Sequence, residues 1–85
     1  MAEPKTKIDQ LIELRNAVQA RLCEWEANVL YWEMVSKKAK KNTQDKVDAE
    51  NNIANNRKNV KKDTLYLKCI DILIEEAKAY EKPTN

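Results

Sequence analysis

The 85-residue chain contains no glycine, and that absence limits its fold more than any motif does. Hairpin turns and long loops use glycine where the backbone must take positive φ. A chain without it is expected to consist of helices joined by very few turns. A domain this small seldom offsets an ordering cost of roughly 1.5 kcal/mol per residue without a metal, disulfides or association with another copy. Histidine is absent, and Cys23 and Cys69 lie 46 positions apart, which disfavours both a zinc knuckle and a disulfide framework. Association is the remaining route.

Hydrophobic spacing then predicts two helices. Thr6 followed by Asp9 has the form of a capping box, with Pro4 just upstream, so a first helix is expected over about residues 7–40. Ile8, Leu11, (Arg15), Val18, Leu22, Trp25, Val29, Trp32, (Ser36) and Ala39 alternate spacings of three and four, the pattern of a helix packed lengthwise on another. Asn42, Thr43, Asp45 and Asp48 are all good N-cap types, placing a turn at about 41–48 and a second helix at about 49–81, stopped by Pro83. Its seam reads Ile53, (Asn56), Val60, (Asp63), Leu67, Ile70, Ile74 and Ala77. Of two heptad registers, a turn centred near Lys46 is favoured over one near Asn42, because it sets Trp25 by Leu67, Leu22 by Ile70 and Trp32 by Val60. Asp63 with Thr64 is also able to cap a short third helix.

A second apolar stripe runs about 180° from each seam: Ile12, Ala20, Cys23, Ala27, Leu30 and Met34 with Tyr31 beside it, then Leu65, Cys69, Ile72, Leu73 and Tyr80. A lone hairpin leaves these in water. The expected fold is therefore all-α: a single-domain antiparallel hairpin over residues 1–85 that self-associates into a four-helix or larger bundle. The candidate oligomer interface is Ile12, Cys23, Ala27, Leu30, Tyr31, Met34, Leu65, Cys69, Ile72 and Leu73. Both cysteines are read as small apolar contact residues, and Trp25 and Trp32 as core residues before any ligand-stacking role.

Catalysis is not expected, and no catalytic, metal or cofactor residues are assigned. Without histidine the commonest general base is missing, and without glycine there is no phosphate loop, dinucleotide fingerprint or nucleophile elbow. Glu24 with Glu26, and Glu75 with Glu76, are spaced so that their carboxylates point to different sides of a helix.

Charge is unevenly distributed. Residues 37–68 hold ten Lys/Arg against four Asp/Glu, a balance of +6, while the rest hold six against ten, or −4. Asn51, Asn52, Asn55, Asn56 and Asn59 fall on one side of the second helix, beside Lys58 and Lys62. With Lys37, Lys38, Lys40, Lys41, Arg57 and Lys61 they form a candidate basic tip for a protein partner or nucleic acid. In antiparallel subunits this tip would face an acidic open end. The expected function is binding of a macromolecular partner, a protein first, as regulator, inhibitor or adaptor. Nucleic-acid binding is the alternative, and sequestration of a small anionic ligand between subunits is a third reading. The polar start of the chain and the lack of any apolar run of roughly 18 residues lead to an expected cytoplasmic protein with no membrane partner.

Overall fold

The computed structural model describes residues 5–81, folded as two helices, α1 (Lys7–Lys38) and α2 (Gln44–Glu81), packed antiparallel. The molecule measures 67 × 28 × 13 Å. It is one helix thick, so only the seam between the helices excludes water.

Local chemistry sets the boundaries. The Thr6 hydroxyl accepts from the Asp9 N–H at 3.1 Å and the Asp9 carboxylate accepts from the Thr6 N–H, closing the expected capping box. Thr6→Ala removes that side-chain acceptor and is expected to lower stability by about 1 kcal/mol, read as a fall in the thermal midpoint. At the other end, Ala39 leaves the helix with extended backbone while its N–H still bonds the Val35 and Ser36 carbonyls. Asn42 supplies the positive φ (65°) that glycine ordinarily supplies, which asparagine tolerates better than other residues. Thr43 then caps α2, its hydroxyl accepting from the Lys46 N–H at 3.3 Å. The second helix thus starts at Gln44, earlier than the expected residue 49. Pro83 lies outside the described residues.

Among the described residues Val18, Leu22, Ala49, Ile70 and Ile74 are the buried hydrophobic ones, and Leu11 and Leu67 pack against the cluster of Val18, Ile70 and Ile74. This apolar half of the seam lies toward the open end. Toward the turn the seam becomes polar, with Asp63, Asn56 and Ser36 buried.

Two expectations are corrected here. The register is the one centred near Asn42: Arg21 and Trp25 meet Asp63, Asn28 meets Asn56, and Arg15 meets Asp71. The Lys46-centred register offered a better apolar match, but would have set the Asp63 carboxylate opposite Val29. Leaving a buried charge unpaired costs several kcal/mol, more than a better aromatic or leucine contact returns. In addition, α2 runs unbroken through Asp63, so no third helix starts there. Asp63 is a seam residue engaged with α1 rather than a cap.

Candidate functional site

The polar half of the seam is an ordered set of hydrogen bonds. Arg21 donates from Nε and Nη2 to the two Asp63 oxygens at 2.8 and 2.7 Å, and the Trp25 indole N–H donates to Oδ2 at 3.0 Å. The Asp63 side chain is 3% exposed and that of Arg21 47%. In so thin a hairpin the carboxylate is covered by its partners rather than sunk among many atoms. The Arg21 hydrogen bonds hold the Asp63 carboxyl below the usual carboxylate range, desolvation opposing them, and the same bond raises Arg21. One layer nearer the turn, Asn28 donates to the Asn56 amide oxygen at 3.4 Å, and Asn56 donates to the Asn52 carbonyl at 2.7 Å. Below that, Lys46 Nζ donates to the Ser36 carbonyl at 2.7 Å. Among the described residues no buried side-chain polar atom lacks a partner.

This changes the reading of the asparagine run. Asn56 is buried, Asn52 and Asn59 are half-buried, and only Asn51 and Asn55 are exposed. Part of the run therefore has a seam role, with the Asn52 amide also donating to the Asp48 carbonyl.

The basic residues are not gathered into one tip. Lys37, Lys38, Lys40 and Lys41 are exposed at the turn. Arg57 pairs with Glu33 at 3.1 Å and shares a groove with Lys37. Lys58, Lys61 and Lys62 are exposed farther along α2, roughly 20–27 Å from its start at 1.5 Å per residue. Lys62 lies level with Arg21 and Trp25, its ammonium 5.8 Å from the Tyr66 ring centre. The arrangement is a ridge along α2, separate from the lysines at the turn.

Every residue of the expected oligomer interface is exposed on the hairpin: Ile12, Cys23, Ala27, Leu30, Tyr31, Met34, Leu65, Cys69, Ile72 and Leu73. Leu30 reaches 69% exposure and Ile72 59%. Leu14, Val47 and Tyr66 are also exposed, and sequence periodicity had not assigned them to the stripe. Both thiols are free. Trp32 is half-buried and meets Tyr31 edge-on at 5.1 Å, while Trp25 spends its only polar group on Asp63. That leaves the indoles as packing and seam residues.

Among the described residues, no three His, Cys, Asp or Glu side chains converge as metal ligands, and no helix is long and apolar enough to cross a membrane. No family model matches the chain, and no match was found among curated proteins or solved structures.

Proposed function

We propose that this protein is a non-enzymatic, self-associating helical-bundle protein that acts by binding another protein as a regulator, inhibitor or adaptor. The observation that carries this reading is the imbalance between covered and uncovered apolar surface. Among the described residues only five hydrophobic side chains are buried, whereas Leu30, Tyr31, Met34, Leu65, Ile72 and Leu73 are among the larger set left about half exposed or more. Contiguous apolar surface of this kind marks contact with another chain. The outer side of α1 supplies one such surface and the open-end half of α2 another.

Light scattering tests the self-association. A mass of two chains or more at micromolar concentration is expected, and a monomer mass would overturn the reading.

Nucleic-acid binding remains a second reading because Lys58, Lys61, Lys62 and Lys68 are exposed along α2. Contacts made by such a ridge would be with phosphate and would weaken steeply with salt. On this reading a mobility shift at low salt disappears at high salt, and Lys58→Glu, Lys61→Glu and Lys62→Glu together abolish it while helicity is kept. Absence of any shift at low salt would remove the reading.

A further inference from the structure

At about 100° per residue, the half of α1 facing away from the seam carries Asp9, Glu13 and Glu24 between Asp9 and Met34, with Glu26 at its border, and no lysine or arginine. The corresponding half of α2 carries Lys58, Lys61, Lys62 and Lys68 between Asn51 and Ile74, and no acid, Arg57 being turned to Glu33 across the seam. All eight charged groups are exposed. Each set flanks an exposed apolar stripe, and the two stripes lie on opposite edges of the hairpin.

We infer that the occupant of each outer face is a second copy of this chain, bound head to tail, with the acidic outer face of α1 in one copy against the basic outer face of α2 in the next. A two-fold contact joining like edges would set acids against acids or bases against bases, which is repulsive, whereas the unlike pairing is attractive. Side-chain size agrees with an antiparallel arrangement of the two helices. Setting Leu65 on Ala27 brings Ile72 onto Ala20, large residues onto small ones, and Lys68 beside Glu26. A contact between different faces repeats from copy to copy, so the assembly grows into a ring or filament instead of closing at two subunits.

This inference rests on the self-association proposed above, and the cysteines allow the two to be tested apart. In the arrangement described, Cys23 of one copy faces Cys69 of the next, whereas within one copy they lie on opposite edges. With a short bismaleimide, the wild-type chain is expected to form a ladder extending beyond the dimer. Cys23→Ser alone and Cys69→Ser alone should not link, and their equimolar mixture should stop at the dimer.

A single-cysteine variant that links to itself would show like edges in contact and overturn the inference, while leaving self-association standing. So would a wild-type chain that stops at the dimer, or one that associates by light scattering yet does not link. A monomer by light scattering would overturn both. Glu26→Lys is expected to weaken association about tenfold at low salt, and Lys68→Glu in the same chain to restore it. Unchanged association in Glu26→Lys would also overturn the pairing.

Discussion

Asp63→Ala is expected to lower the stability of the hairpin by about 2–3 kcal/mol, the scale of hydrogen bonds made to a charged group. In a domain this small that corresponds to a fall of roughly 10–20 °C in the thermal midpoint. The three hydrogen bonds do not contribute independently, because the half-exposed Arg21 recovers water when its partner is removed. Trp25, half-buried, recovers less. The loss should also depend on pH. Because the carboxyl is more acidic folded than unfolded, its contribution is fully present above the unfolded carboxylate value of about 3.9 and disappears as pH falls through the folded value. Urea unfolding at neutral pH and at a series of values below about 4 checks this: the gap between wild type and Asp63→Ala should narrow as the medium becomes acidic. A gap that stays constant with pH would show that the carboxylate is not the group responsible.

The physics of Asp63 also explains which parts of the fold were legible in the sequence. The apolar seam was readable because Val18, Leu22, Ile70 and Ile74 recur at heptad spacing, and each is buried. Asn56 and Asp63 also fell on that spacing, which placed them on the seam without revealing their partners. Of those partners Trp25 lies on the seam spacing, but Arg21 and Asn28 sit on the flank of α1, where no periodicity marked them. The register therefore could not be chosen by matching hydrophobic residues alone. It follows from polar satisfaction, since one alignment pairs the buried carboxylate and the other isolates it. The turn was misplaced for a related reason. A chain without glycine gives no direct signal of positive φ, and Asn42 was one of several residues able to provide it. The outer stripe was legible because apolar residues recur on two opposed sides of each helix, and the second set is exposed on the hairpin.

Leu30→Asn combined with Ile72→Asn is expected to weaken self-association at least 100-fold while leaving the hairpin itself folded. Burying a leucine or isoleucine side chain is worth about 1.5–3 kcal/mol, so removing one from each outer face takes away two decades or more of affinity at 1.4 kcal/mol per decade. Neither residue contributes to the seam, and substitutions at exposed positions away from packing usually change monomer stability by no more than about 0.5 kcal/mol. The two effects separate in the concentration dependence of melting. Where folding is linked to association, the thermal midpoint of the wild-type chain rises with protein concentration. In the double variant it should become independent of concentration, with far-ultraviolet helicity at low temperature unchanged. Asparagine is chosen over a charged residue so that the electrostatic pairing of the outer faces is not altered along with their burial. A midpoint that rises with concentration equally in both proteins would place the association elsewhere on the hairpin, for neither outer face could then be the surface that another copy covers.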